Sequence, residues 1–362
     1  MMARILILAN SSSGLYGFRR ELMQAFLSRG IEVSASNPDQ DYNLELHELG
    51  CKTITTEMER RGMNPVHDFI LLLKYKRLLK KEKPDLVITY TIKPNIYGGI
   101  ACRFARIPYA INITGLGTAF EKDGIIKKLV ITLYKVALKR AKVVFFENKT
   151  NRQIFVDLGI ISKEKTKVLN GAGVNLGFFQ YIDYPSDEKL FKFLFIGRLM
   201  KEKGVDELFS SMCRLIDEGA NCSLMVLGRY EEGYEKQVKQ YQEAGWLEYY
   251  GYQLDVRPFI AKSHCFVLPS YHEGMANTNL ECAASGRPII TSNIPGCKEA
   301  VIENKTGLLF EPRNTESLYQ TMKSIMGLSW TERKQMGVLG REYMNKTFNK
   351  RKVVEETIMS LL

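Results

Sequence analysis

The sequence predicts an α/β protein with two Rossmann-like domains that face each other across a cleft. Three observations predict this fold. Short apolar runs alternate with longer amphipathic stretches, as in parallel, doubly wound sheets. The alternation stops in a polar, proline-containing stretch at 178–187 and then restarts with its own first strand and glycine loop. A chain of 362 residues is also too long for one ordinary hydrophobic core.

The first half of the chain predicts six strands and five helices. The first strand covers 3–9, a Ser/Gly loop covers 10–17, and a helix covers 18–30. Further strands are predicted at 31–35, 85–90, 109–113, 143–147 and 167–169. Further helices are predicted at 64–83, 95–105, 124–141 and 149–158.

The second half repeats this architecture. Strands are predicted at 191–196, 222–227, 247–250, 265–268, 288–292 and 308–310, and helices from 205 and over 331–362. We therefore expect domains at 1–178 and 188–345, and a C-terminal helix at 346–362 that packs back on the first domain. Ligands of such sheets bind at the carboxyl ends of the strands, which places the expected site in the cleft.

Composition argues against several classes of protein. No apolar stretch approaches the roughly 18–20 residues that span a bilayer, and the run at 5–8 is too short for a signal peptide. The seven cysteines are odd in number and show no CxxC spacing, which favours reduced thiols over disulfides or zinc. With four histidines, a His-rich metal centre is not expected. We expect a cytoplasmic protein.

The net charge of +11 is unevenly distributed. Residues 1–175 contain 28 Lys and Arg against 16 Asp and Glu, whereas the remainder contains 23 against 24. Basic helical stretches at 69–83 and 125–142 carry much of this excess. Such helices are either solvated faces or surfaces that bind an anionic partner. Anionic lipid attracts them by about 1 kcal/mol per cation, and no nucleic-acid recognition motif accompanies them.

The segment 269–281 contains the residues best suited to chemistry. Glu273 follows a predicted strand, and Glu281 lies in a helix that is predicted to begin near Asn277. The first amides of that helix suit a diphosphate, and a carboxylate deeper in the helix could accept both ribose hydroxyls. As a bare pair of acids, the two glutamates could equally be ordinary solvated charges.

The surrounding residues resemble a known family. The order Glu273–Gly274, Glu281, Gly286 is similar to the E-x7-E motif of retaining glycosyltransferases of the GT-B fold, family 4. Upstream, 195–199 (FIGRL) and 201–204 (KEKG) resemble that family's G-R-L-x-x-x-K-G segment. Gly296, Glu299, Gly307 and Leu308 resemble its G-x-x-E…G-x-L stretch. The matches run in the family's order from 191 to about 310.

The resemblance implies catalytic roles for Arg198, Lys203 and Glu273. Arg198 and Lys203 would bind the donor diphosphate and stabilise charge on the leaving nucleotide. Glu273 would bind hydroxyls of the transferred sugar. Further donor contacts are implied for Gly14, Gly197, Tyr252, Gly274, Met275, Ala276, Asn277 and Glu281, the last of these with the ribose.

In the first half, three features bear on ligand binding. The small-residue loop around Gly14 would let a ligand approach the backbone. Phe18 and Arg19 resemble the Phe-Arg pair of polysaccharide-assembly members of the family, and Arg19 is a candidate contact for an acceptor phosphate. Lys93 and Asn95, which follow the third predicted strand, are further candidates for acceptor contacts. Many family members have a sugar-contacting His where this chain has 113–115 (ITG), so another residue must replace it.

These observations predict a retaining glycosyltransferase that requires neither a metal nor a cofactor. The donor is expected to be a UDP-sugar with a hexose or N-acetylhexosamine, and the acceptor a polyprenyl-diphosphate-linked glycan of cell-surface polysaccharide or glycan biosynthesis. We expect a peripheral protein at the inner face of the cytoplasmic membrane, bound to anionic lipid and not to nucleic acid. The alternatives are a nucleotide-sugar epimerase of the same fold and a non-enzymatic lipid or nucleic-acid binder.

Overall fold

The computed structural model describes residues 3–59, 62, 64–117, 120, 124–186 and 190–362. The chain forms two compact units. Unit 1 comprises Met1–Ala172 and Arg351–Leu362, and unit 2 comprises Gly173–Lys350. The predicted start of the second domain, at 188, lies outside the described residues.

Unit 1 contains a seven-stranded parallel sheet in the order β3-β2-β1-β4-β5-β6-β7. Its strands are β1 Arg4–Leu8, β2 Glu32–Asn37, β3 Lys52–Thr55, β4 Leu86–Tyr90, β5 Tyr109–Ile113, β6 Val143–Phe146 and β7 Thr166–Val168. From β1 the chain adds strands first on one side and then, from β4, on the other. The boundary between β1 and β4 is therefore the switch point of this sheet, where ligands of open α/β sheets bind.

The helices of unit 1 cover both faces of the sheet. They are α1 Ser12–Leu27, α2 Asn43–Glu48, α3 Pro65–Glu82, α4 Gly99–Ala105, α5 Ile125–Leu138, α6 Lys149–Asp157 and the terminal α13 Lys350–Leu361. A π-helical turn, Pro94–Gly98, precedes α4. On one face α1 and α13 share a core, and on the other face α3, α4 and α5 share a second core.

Two parts of unit 1 differ from the sequence-based expectation. The predicted loop at 10–17 is wrong beyond Ser11, because α1 begins at Ser12 and contains Gly14. The Ser11 hydroxyl accepts a hydrogen bond from the Gly14 amide at 3.1 Å and caps the helix. The small residues after Ser11 therefore form the first turn of α1 and not a loop. The elements α2 and β3 were not expected. The strand β3 lies at the sheet edge and is half-exposed, so it lacks the apolar run of a buried strand.

Unit 2 contains a six-stranded parallel sheet in the order β10-β9-β8-β11-β12-β13, with its switch point between β8 and β11. Its strands are β8 Phe191–Ile196, β9 Cys222–Leu227, β10 Leu247–Tyr249, β11 Cys265–Leu268, β12 Ile289–Ser292 and β13 Gly307–Phe310. Its helices are α7 Val205–Asp217, α8 Glu235–Glu243, α9 Arg257–Lys262, α10 Asn277–Ala284, α11 Thr315–Gly327 and α12 Trp330–Thr347.

The two ends of unit 2 pair with each other. The Val174 amide donates to the Phe348 carbonyl at 2.7 Å, and the Lys350 amide donates to the Val174 carbonyl at 3.0 Å. These bonds bring the first and last residues of the unit side by side. None of the helices in the described part of the chain combines the length and apolar character needed to cross a bilayer.

Candidate active site

The switch point of unit 2 brings two loops together. One loop follows β8 and contains the short 3-10 helix Lys201–Lys203, and the other follows β11 and leads into α10. Gly204 has a φ of +69°, and a Cβ at this position would lie 2.1 Å from the Pro269 carbonyl oxygen. Glycine therefore permits both the backbone turn and the close approach of the two loops.

Two of the three predicted catalytic residues meet here. The Lys203 ammonium forms an ion pair with Glu273 Oε1. The two side chains are 19% and 15% exposed, so the pair is largely shielded from water but still reachable. An ammonium can pair with a phosphate, and an ionised carboxylate accepts hydrogen bonds from sugar hydroxyls. The pair thus has both groups needed to hold a sugar diphosphate.

Tyr271 joins the same two loops and was not predicted from the sequence. Its amide donates to the Glu202 carbonyl at 2.9 Å, and its hydroxyl donates to the two oxygens of Glu207, at 2.6 and 2.8 Å. Because Glu202 precedes Lys203 and Tyr271 lies two residues before Glu273, these bonds position both members of the ion pair. A tyrosine after a strand gives no sequence signal that separates this role from ordinary packing.

The segment 274–277 is fixed by its neighbours. The Ala276 amide donates to the Gly296 carbonyl at 2.7 Å. Gly296 has a φ of +89°, and a Cβ there would lie 2.5 Å from the Glu273 carbonyl oxygen. Gly274, Met275 and Ala276 are buried, so only their backbone groups are suited to a ligand.

Asn277 begins α10, and the Asn277 Oδ1 atom is buried without a hydrogen-bond partner among the described residues. A buried amide oxygen without a partner is uncommon in folded proteins. A hydroxyl or amide donor from a ligand would satisfy it.

Glu281 is the fifth residue of α10 and is half-buried. Burial raises the pKa of its carboxyl to about 7, although the positive charge of Lys350 acts in the opposite direction. The carboxyl therefore changes its protonation state near neutral pH. Its ionised form can accept two hydroxyl hydrogens, as ribose recognition requires.

The other predicted donor contacts in unit 2 lie in the loops after β8 and β10. Arg198 is half-exposed and pairs with Glu231 at 3.5 Å, and the structure does not bring it into contact with the Lys203–Glu273 pair. Gly197 packs against Gly228, where a Cβ would lie 1.8 Å from the Gly197 carbonyl oxygen. Tyr252 is exposed, and the Arg229 guanidinium lies 4.7 Å from the centre of its ring.

The predicted residues of unit 1 have internal partners. The Gly14 amide is engaged by Ser11, as described above, and Arg19 contacts Glu147 at 2.7 Å and lies over the Tyr90 ring at 4.6 Å. Over the described ranges, no group of three or more His, Cys, Asp or Glu side chains is arranged to hold a metal ion.

Comparisons with known proteins follow the division into units. A model described as glycosyl transferases group 1 matches residues 181–343, and one described as glycosyl transferase 4-like matches residues 4–148. Together they cover most of the chain.

Several characterised relatives match over most of their length. An N,N'-diacetylbacillosaminyl-diphospho-undecaprenol alpha-1,3-N-acetylgalactosaminyltransferase of Campylobacter jejuni is 28% identical over 342 residues, which is 89% of each chain. The capsular polysaccharide biosynthesis glycosyltransferase CapM of Staphylococcus aureus is 25% identical over 82% of this chain and 81% of its own. A UDP-Gal:alpha-D-GlcNAc-diphosphoundecaprenol alpha-1,3-galactosyltransferase of Escherichia coli is 25% identical over 80% of this chain and 77% of its own.

Solved structures share the fold. HepE of Anabaena in complex with UDP and glucose has a TM-score of 0.81 at 16% identity and covers 99% of this chain and 98% of its own. A glycosyltransferase of Rickettsia africae has a TM-score of 0.78 at 18% identity, with coverages of 99% and 97%. With two parallel-sheet α/β units and a glycosyltransferase model matching each of them, the chain belongs to the glycosyltransferases of the GT-B fold.

Proposed function

We propose that the chain is a retaining transferase that moves a hexose or N-acetylhexosamine from a UDP-sugar to a polyprenyl-diphosphate-linked glycan in cell-surface polysaccharide or glycan biosynthesis. The observation that carries this proposal is the Lys203–Glu273 ion pair at the switch point of unit 2. The Campylobacter and E. coli relatives are named for undecaprenyl-diphosphate-linked acceptors, which supports the acceptor class.

In this proposal, unit 2 binds the donor. Lys203 leaves Glu273 to pair with the diphosphate, and Glu273 accepts hydrogen bonds from the transferred sugar. Arg198 turns from Glu231 to the same diphosphate, and Glu281 binds the ribose. As the bond from the sugar to the diphosphate breaks, negative charge grows on the leaving UDP, and the two cations stabilise it.

Retention follows from a front-face reaction. The acceptor hydroxyl attacks the anomeric carbon from the side on which UDP leaves, and the departing phosphate oxygen takes the hydroxyl proton. No protein nucleophile is required. Because Arg198 and Lys203 supply two positive charges at the diphosphate, we propose that no metal ion takes part.

The surface of unit 1 supports docking to an anionic membrane. On α5, Ile125, Ile126 and Leu129 are exposed, Ile125 to 86%, and Lys128 and Lys135 on the same helix are exposed as well. Helices with apolar tips and surrounding cations bind at the lipid interface. On α3, exposed Lys76, Arg77, Lys80 and Lys81 add to the positive charge. We propose peripheral binding at the inner face of the cytoplasmic membrane.

The proposed reaction is tested by measuring nucleotide release from a panel of UDP- and GDP-sugars, with and without a polyprenyl-diphosphate-linked glycan. We expect one UDP-sugar to release UDP in an acceptor-dependent manner and the product to keep the donor's anomeric configuration by NMR. Interconversion of nucleotide sugars without UDP release would indicate an epimerase. Vesicle binding without turnover of any donor would indicate a non-enzymatic lipid binder.

A further inference from the structure

The switch point of unit 1 carries two rare backbone features within one short segment. Thr91, directly after β4, has a φ of +71°, a left-handed conformation that β-branched residues seldom adopt. Three residues later the chain forms the π-helical turn Pro94–Gly98. Both features have an energetic cost, and both are frequent at functional sites.

A buried hydrogen-bond network holds this segment in place. The Thr89 hydroxyl donates to Asn95 Oδ1 at 2.7 Å, and Asn95 Nδ2 donates to the Asn112 carbonyl at 2.8 Å. The Asn112 side chain donates in turn to the Thr89 carbonyl at 3.3 Å. The network joins the π-helical turn to the ends of β4 and β5, so the segment is fixed to the rigid part of the sheet.

The side chain that this segment presents is Lys93. Its ammonium lies 2.8 Å from Asp68 Oδ1, and the Tyr97 hydroxyl donates to Asp68 Oδ2 at 2.8 Å. The Lys93 and Asp68 side chains are 13% and 11% exposed, and the Asp68 Oδ1 atom itself is buried, so a ligand reaches this oxygen by taking the place of the Lys93 ammonium. A buried ion pair contributes little net stability, because desolvation offsets most of the attraction between its charges. Stability alone therefore does not account for the pair.

The pair resembles the Lys203–Glu273 pair of unit 2 in chemistry and in place. Each consists of a lysine and a carboxylate, is less than one-fifth exposed, and has its lysine after a strand at a switch point. The pairs differ in what surrounds them. In unit 2, the loop after β8 carries a second cation, Arg198, which pairs with Glu231 and, in the function proposed above, turns to the anionic diphosphate. Lys93 and Asp68 have no net charge between them, which suits a neutral ligand with several hydroxyls better than a phosphate.

We propose that Asp68 and Lys93 form the subsite for hydroxyl groups of the acceptor's terminal sugar. Asp68 accepts hydrogen bonds from the hydroxyls, Lys93 donates to them, and Tyr97 positions Asp68. The inference rests on the proposed function, since it concerns the acceptor of that same reaction. It assigns these residues to binding, and the bond-making step remains in unit 2.

The test compares Asp68→Asn and Lys93→Gln with the parent, each as the full chain. Three quantities are measured: the KM for a polyprenyl-diphosphate-linked glycan, the KM for the donor, and UDP release into water without acceptor. We expect the acceptor KM to rise about tenfold or more, as for the loss of a hydrogen bond to a charged group, while the donor KM and the hydrolysis rate stay within about twofold. Tyr97→Phe should raise the acceptor KM by a smaller factor.

Lys52→Gln is the matched control. Lys52 pairs with Glu82 at the amino end of β3, on the opposite edge of the same sheet, and its loss should change none of the three quantities. Thermal unfolding shows which variants keep the parent's fold, and Asp68→Asn keeps the shape of the side chain if Lys93→Gln does not fold.

Two results would overturn the inference. One is an acceptor KM that stays within about twofold of the parent in both variants. The other is a parallel loss of donor binding and hydrolysis, which would assign the pair to folding or to the donor. A parent that releases UDP from no donor would instead contradict the proposed function itself.

Discussion

The switch points of the two units use the same kind of side-chain pair in different backbone settings. In unit 2, Lys203 and Glu273 belong to loops that are packed closely against neighbouring backbone. Gly204 and Gly296 permit this packing because they have no Cβ atom at the points of contact. In unit 1, Lys93 follows a strained Thr91 and a π-helical turn. The first arrangement leaves a recognisable motif of glycines and charges, whereas the second depends on the hydrogen bonds among Thr89, Asn95 and Asn112. Both members of the pair can therefore be predicted from the sequence in unit 2, whereas in unit 1 only Lys93 can.

The units also differ on their outer surfaces. The excess positive charge lies in residues 1–175, and the described cations of α3 and α5 are largely exposed. The remainder of the chain has one more acidic than basic residue. Electrostatic docking should therefore depend on unit 1, and donor chemistry on unit 2.

The largest expected effect is that of Lys203→Ala. Loss of a charge-assisted contact to the leaving diphosphate removes roughly 1.5–3 kcal/mol, or about 10- to 150-fold in transfer rate. Steady-state kinetics measures this loss, and circular dichroism checks that the fold is kept.

Arg198→Ala should lower the transfer rate about tenfold, at the low end of this range, because Arg198 is more exposed than Lys203. Lys201→Ala, in the same 3-10 helix as Lys203, is the control and should behave as the parent. Parent-like turnover of the Lys203 and Arg198 variants would rule out the diphosphate role.

The pKa of Glu281 makes the nucleotide affinity depend on pH. Because the ionised carboxyl is the form that accepts ribose hydroxyls, the affinity for UDP should rise as pH increases through about 7. Glu281→Gln should bind UDP about tenfold more weakly and lose this pH dependence. Isothermal titration calorimetry between pH 6 and 8 measures both, with Glu243→Gln on the exposed face of α8 as control. A Gln variant with the parent's affinity at every pH would contradict the ribose assignment.

The same carboxyl makes the unfolding free energy depend on pH. In the unfolded chain Glu281 ionises near its ordinary pKa of 4.5, whereas in the fold it keeps its proton until about 7. The raised pKa thus stabilises the fold at low pH, and this contribution, on the order of 3 kcal/mol, is lost as pH rises from about 4.5 to 7. Urea unfolding of the parent and of Glu281→Gln should show the difference. Identical pH dependence in the two proteins would place Glu281 in a more solvated environment.

A smaller effect is expected at the membrane. The parent should sediment with anionic vesicles, and less so as salt shortens the Debye length from about 10 Å at 0.1 M to about 3 Å at 1 M. Changing Lys76, Arg77, Lys80 and Lys81 to Gln should weaken sedimentation but leave transfer to a soluble acceptor analogue nearly intact. Changing four exposed lysines of unit 2, Lys236, Lys239, Lys262 and Lys305, to Gln is the charge-matched control. If the α3 variant sediments as the parent does, α3 is not the docking face.

The smallest expected effect is that of a chelator. We expect transfer to be unchanged by EDTA, since Lys203 and Arg198 supply the charge that a divalent ion supplies elsewhere. Complete loss of transfer with EDTA, reversed by magnesium or manganese, would contradict metal independence.

The sequence was most informative where local rules determine the structure. Apart from β3, the strands of both sheets follow from apolar runs. Lys203 and Glu273 follow from their motif, since glycines and charges stand at short, fixed distances along the chain. The early start of α1 depends on capping by Ser11 and was missed. Asp68 and Lys93 are brought together by the packing of α3 against the π-helical turn, and Tyr271 contacts Glu207 because the loop after β11 approaches the start of α7. Such long-range contacts leave no local periodicity to recognise.

The central claim is that the donor binds in unit 2 and the acceptor in unit 1. Equilibrium binding of UDP to the parent, Lys203→Gln and Lys93→Gln tests it most directly, because no turnover is needed. The account predicts an affinity about tenfold weaker for Lys203→Gln and an unchanged affinity for Lys93→Gln. Weakened UDP binding in Lys93→Gln together with parent-like binding in Lys203→Gln would contradict it.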